Sequence, residues 1–165
     1  VDVPTGSTNF AFCFGDGSGT ACPCGNNSVV GSNAGCLNSL ATAGQIVVSG
    51  SASLSADTAV ISGSGMPAGP ALYFQGTTQL NAGNGNAFGD GLRCVGGTTV
   101  RLGIKINSGA GASAFPSGAD PLLSIKGGVA AGDVRYYSLW YRDSATFCTA
   151  NTYNLTNGWA LSWTP

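Results

Sequence analysis

The chain has no histidine and no glutamate, and charge of either sign is scarce: six basic and seven acidic residues among 165, or 8%. Ordinary soluble domains carry about 25%. Each absence excludes a chemistry. Without histidine there is no Ser-His-Asp triad, no Cys-His pair and no imidazole-bound metal. Without glutamate, acid–base work falls to aspartate, tyrosine or lysine. The carboxylates are seven scattered aspartates, and a pair such as Asp90 with Asp133 or Asp143 is the best material for glycosidic chemistry. No motif marks such a pair, so the chain reads as a non-enzyme. A net charge of −1 and a pI near 4.9 argue against nucleic acid as a partner, because that partner requires a basic surface. No run approaches the ~20 apolar residues of a transmembrane helix, so no transmembrane segment is expected. The start, Val1-Asp2-Val3-Pro4, reads as that of a processed, secreted product.

Helix formers are replaced by glycine, serine and threonine; glycine alone contributes 27 residues. The 43% hydrophobic and 9% aromatic content nevertheless marks a folded chain rather than a disordered one. Its pattern has period two. Thr99–Ile106 sends Val100, Leu102, Ile104 and Ile106 to one face and Arg101 and Lys105 to the other. Similar segments are Asn9–Phe14, Gln45–Ser49, Ser51–Ala56, Ala59–Ser62, Ala71–Gln75, Leu122–Lys126, Val134–Arg142 and Gly158–Thr164, separated by Gly, Asn and Pro clusters. A short helix is conceivable only near Asn33–Leu40. The expected fold is all-β: an antiparallel β-sandwich of about 8–10 strands with an N-terminal disulfide-stapled loop. Residues 1–11 form an extended segment able to serve as a donor strand, and residues 12–165 form a single sandwich domain that includes a Cys-rich loop at 13–36.

Six cysteines, Cys13, Cys22, Cys24, Cys36, Cys94 and Cys148, lack the paired C-x-x-C knuckles of a zinc site. They read as three disulfides made in an oxidising compartment. Cys22 and Cys24 flank one proline and are too close to bond each other. The expected local pairing is Cys13–Cys24 with Cys22–Cys36, or Cys13–Cys22 with Cys24–Cys36, leaving Cys94–Cys148 as the long bridge. Phe14-Gly-Asp-Gly17 recurs as Phe88-Gly-Asp-Gly91, each ahead of a cysteine. Isolated aspartates of this kind point to tight turns more than to a calcium loop; no cofactor is expected, with calcium a minor option. Asn26 and Asn154 stand in N-x-S/T sequons.

Several runs are distinctive together: Phe12-Cys-Phe-Gly-Asp-Gly-Ser-Gly-Thr-Ala-Cys-Pro-Cys-Gly-Asn26, Gly35-Cys-Leu-Asn-Ser39, Phe74-Gln-Gly-Thr77, Phe88-Gly-Asp-Gly-Leu-Arg-Cys94, Gly132-Asp-Val-Arg-Tyr-Tyr137, Trp140-Tyr-Arg142 and Tyr153-Asn-Leu-Thr-Asn157. From Phe12 to Trp163 the chain resembles a Cys-rich domain of secreted proteins of Planctomycetes-like bacteria, often found at the C-terminal end of much larger chains. The resemblance implies an extracellular bacterial β domain and assigns no activity and no catalytic residue.

Eight of the fifteen aromatics lie in the last 30 residues. Alternation places Tyr136 and Trp140 on one face of their strand, Tyr137 and Tyr141 on the other, and Trp159 with Trp163 on a common face. Both faces of Val134–Arg142 are thus aromatic, and a two-layer sandwich buries one. The second face must meet a loop, a ligand or another subunit. Tyr137, Tyr141, Trp159 and Trp163 are the candidate ligand or subunit contacts. Val1, Val3 and Phe10 are the candidate assembly residues, in a segment able to join a neighbour's sheet edge. Two expectations follow. One is a secreted, non-enzymatic structural protein that self-assembles into an extracellular fibre or coat. The other is a monomeric carbohydrate-binding or adhesion module that uses the C-terminal aromatics on extracellular glycans.

Overall fold

The computed structural model describes residues 8–165. Thirteen short strands carry most of the order: β1 (Asn9–Phe12), β2 (Gln45–Ser49), β3 (Val60–Ser64), β4 (Gly69–Gly76), β5 (Thr78–Gln79), β6 (Asn86–Phe88), β7 (Gly91–Arg93), β8 (Val95–Gly96), β9 (Val100–Asn107), β10 (Ser113–Phe115), β11 (Val134–Arg142), β12 (Tyr153–Leu155) and β13 (Gly158–Ser162). One short helix, α1 (Leu123–Gly127), lies between β10 and β11. A six-stranded sheet runs in the order β1-β13-β11-β4-β9, with β12 beside the far end of β11. It is antiparallel throughout. A three-stranded sheet, β10-β3-β2, packs on one of its faces. Among the described residues, no helix is long and apolar enough to cross a membrane.

The core between the two sheets follows from alternation. Tyr137, Leu139 and Tyr141 of β11, Ala71 and Tyr73 of β4, and Leu161 of β13 point toward Ile46, Val48 and Ile61 of the smaller sheet. The opposite face of the large sheet is covered as well. Phe12, Phe74, Leu155 and Ala160 pack under a third layer built from the Cys-rich loop and β7–β8. Both faces of β11 are therefore lined by apolar neighbours, as its two aromatic faces require. The loop layer is thin because backbone lies directly on backbone. A Cβ at Gly15 would collide with the main chain of Cys36, and one at Gly35 with the carbonyl of Leu155.

The disulfides differ from the expected arrangement. Cys22–Cys36 forms, as one of the two local pairings had it, but Cys13 bonds Cys94 and Cys24 bonds Cys148. There is no Cys94–Cys148 bridge. The loop is not a self-contained staple: it is a lid sewn to two distant parts of the chain, because Cys13 leaves β1 directly over the start of β8.

Five further expectations change. The segment Leu122–Lys126 is helix rather than strand. Gly128 supplies the left-handed C-cap at φ 61°, and Asp57 accepts the Ser124 N–H at 2.8 Å, satisfying a first-turn donor. No helix forms at Asn33–Leu40, where an isolated bridge joins Leu37 to Ala43, and Ser51–Ala56 is a turn held by a bridge from Ser53 to Thr164. The boundary after residue 11 moves, since β1 is already part of the sandwich: it pairs with β13 from Asn9 onward, and Thr8 exchanges hydrogen bonds with Ser162. Finally, the one-sided face of Thr99–Ile106 is broken by a β-bulge. The register against β4 shifts between Tyr73 and Phe74, so Leu102 and Gly103 both turn toward the core. Ile104 and Ile106 are thereby flipped outward, 65% and 71% exposed.

Candidate functional site

The predicted contacts Tyr137, Tyr141 and Trp163 are buried in the core between the sheets, and none is presented to a ligand. Their polar tips close a network. The Trp163 indole donates to the Tyr137 hydroxyl at 3.0 Å, which donates to Gln75 Oε1 at 2.9 Å, while Asn38 donates to the Tyr141 hydroxyl at 3.3 Å. Trp159 is half-buried against the same core and donates to Asn9 at 2.8 Å. Burial pushes both tyrosine hydroxyls well above the ordinary value near 10. Such groups stabilise the fold below pH 10 and lose that contribution above it, because the unfolded chain ionises first. Stability is expected to fall by about 1.4 kcal/mol per pH unit for each of the two. The 295 nm absorbance should show them ionising only on unfolding; early titration of all five tyrosines would contradict their burial.

Of the candidate assembly residues, Val1 and Val3 lie outside the described residues. Phe10 sits on β1 opposite Ala160, about half exposed. Neither sequon offers an open attachment point. Asn26 is buried and its amide donates to Leu37 and Asp90, and Asn154 is fully buried with its amide on Leu37. Both amides are occupied as loop braces.

The repeated Phe-Gly-Asp-Gly turns part company. Asp16 is near the surface and accepts from the Ser18 hydroxyl and N–H, which hold its carboxyl below the usual range. Asp90 is fully buried and accepts from the Thr149 N–H and hydroxyl at 2.9 and 2.6 Å. Asp143 is equally buried, with Ser39 donating to both of its oxygens. Asp90 and Asp143 are thus loop anchors, and Asp133, the other partner named for Asp90, accepts from the Ala130 N–H at 2.8 Å and pairs with Arg135. No group of three or more acidic or cysteine side chains suited to a metal ion lies together among the described residues.

The groove that the structure does present lies on the outer face of the large sheet, beyond the edge of the loop layer. Two adjoining hollows share Leu72 and Trp140. One continues past Phe74 and Phe88 to Arg93 and Arg101, the other past Tyr153 and Ile104 to Arg142. Trp140, Phe88 and Tyr153 form a rigid aromatic trio, with ring centroids 5.1 to 6.0 Å apart and Trp140 edge-on to both partners.

One arginine at this groove lies over an aromatic ring, and the other two are paired in strand register with aromatic residues. The Arg93 guanidinium lies 5.6 Å above the Phe88 ring and its Nε donates to the Val95 carbonyl; Arg101 is registered opposite Phe74 and Arg142 opposite Tyr153. None of the three has a carboxylate partner among the described residues. The ion pairs there are Lys105 with Asp120 and Arg135 with Asp133, both away from the groove. Sequence reasoning found the aromatic second face of β11 but picked the buried parity. The signal available was Tyr136 and Trp140 set beside the arginines at 93, 101 and 142. Compared with protein-family models, with curated proteins and with solved structures, the chain matches none.

Proposed function

We propose that the chain is a secreted, non-enzymatic structural protein whose copies assemble, edge to edge, into an extracellular fibre or coat. The observation that carries this reading is the state of β9. It ends the large sheet, it is paired by β4 alone among the described residues, and it holds Ile104 and Ile106 out to solvent. Soluble monomers normally blunt such an edge with lysines, proline or a covering loop. Here the one lysine of the strand, Lys105, is turned to the opposite face, where it pairs with Asp120 and lies over Phe115. The bulge that turns Lys105 inward is also what brings the two isoleucines out.

The segment that best suits this edge is Val1–Ser7 of a second copy. Val1 and Val3 alternate with Asp2 and Pro4, so a strand laid along β9 would set two apolar side chains next to Ile104 and Ile106. Three disulfides agree with an oxidising, extracellular setting. The test is the state of association, by light scattering and negative-stain microscopy, of the parent chain, of Ile104→Lys/Ile106→Lys and of a chain lacking Val1–Ser7. The parent chain is expected to form particles far above 16 kDa, and both variants to remain monomers with unchanged circular dichroism. A monodisperse parent monomer, or a double-lysine variant that assembles as well as the parent, would overturn the reading.

A further inference from the structure

We propose that the arginine-rimmed aromatic groove on the outer face of the large sheet binds an acidic polysaccharide, one carrying a carboxylate on successive sugar rings. Charge is the first ground. The described chain has six basic side chains, and three of them, Arg93, Arg101 and Arg142, converge on this groove without a carboxylate partner among the described residues. In a chain of net charge −1 that concentration is local and of one sign. A planar guanidinium is suited to bidentate contact with a carboxylate, and the stacked arginine at Phe88 is already held in place by its bond to Val95.

The second ground is shape. The groove has two hollows, each with aromatic walls and at least one arginine, joined at Trp140 and Leu72. A ligand that fills both must repeat the same unit: an apolar ring face for the aromatic surface and an anion for the guanidinium. A chain of uronic acids has this repeat, with one C–H face and one carboxylate per ring. An acidic peptide supplies the charge but no rigid ring face, and a nucleic acid carries its charge on the phosphates between its sugars rather than on the ring that the aromatic wall would hold. The groove lies within one copy and shares only Ile104 with the β9 edge.

The experiment is calorimetric titration of the full chain with a galacturonate hexamer, with its methyl ester, with a hexaglutamate peptide and with a single-stranded hexanucleotide. The galacturonate hexamer is expected to bind, with at least tenfold loss on esterification, which keeps the rings and removes the charge. Arg101→Gln and Arg142→Gln are each expected to weaken binding about tenfold. Both arginines are exposed and outside any described ion pair, so the thermal midpoint should not move. Trp140→Phe, which preserves most of the packing with Phe88 and Tyr153, should weaken the hexamer and its ester alike. The proposal is overturned if the galacturonate hexamer does not bind, if its ester binds equally well, if hexaglutamate or the oligonucleotide binds as tightly, or if the arginine variants bind like the parent.

Discussion

Replacing Cys13 and Cys94 together by serine is expected to lower the unfolding free energy by about 4 kcal/mol, and replacing Cys24 and Cys148 by the same amount. The two bridges are not independent. They close one covalent ring that runs from Cys13 to Cys24, across to Cys148, back along the chain to Cys94 and across to Cys13. Opening either bond opens that ring but leaves the other closing its own loop, over a separation of 81 or 124 residues, so the second removal should cost at least as much as the first. Cys22–Cys36 spans 14 residues and closes a shorter loop, for which about 3 kcal/mol is expected. Against a total stability of 5–15 kcal/mol for a domain, either long bridge decides whether the chain is folded at 37 °C. Guanidinium melts of the three double-serine variants give the ranking. Peptide mapping under non-reducing conditions gives the connectivity, and recovery of a Cys94–Cys148 peptide would refute it.

Trp163→Ala is expected to cost about 4 kcal/mol, near the middle of the range for emptying a buried aromatic site. Trp163 is 1% exposed and sits among the tyrosines between the sheets. Its loss removes the indole volume and also the donor to Tyr137, whose hydroxyl stands in the chain that continues through Gln75 to the Gly127 carbonyl at the end of α1. Trp163→Phe keeps most of the volume and loses the N–H, so about 1–2 kcal/mol is expected. The difference between the two variants in urea melts separates packing from hydrogen bonding. A cost below 1 kcal/mol for the alanine variant would show that Trp163 is not a core residue.

Much of the fold was legible because alternation is a local property. Val134–Arg142, Gly158–Thr164, Ala71–Gln75 and Gln45–Ser49 all read as strands and are strands, and the two aromatic faces of β11 correctly required a covering on each side. Leu122–Lys126 misled because a five-residue helix has no periodicity of its own; its start is satisfied by Asp57, more than sixty residues away. Ile104 and Ile106 misled because a bulge resets the parity of every residue after it, and nothing in Thr99–Ile106 marks one. The site was half visible. Tyr136 and Trp140 were identified as a face, while the chosen contacts Tyr137, Tyr141 and Trp163 proved to be the buried set.

Composition and spacing by themselves determined the absence of histidine and glutamate chemistry, the all-β class and the use of all six cysteines, since these depend on which residues are present and on neighbours two apart. Tertiary structure alone decided which cysteines meet and how much of the outer aromatic face the loop layer leaves open. It also brought three of the four arginines together without a carboxylate partner among the described residues. Those outcomes depend on pairs of residues up to 124 positions apart in the chain. They follow from how the loop layer is laid over the large sheet, a long-range packing choice that no local pattern encodes.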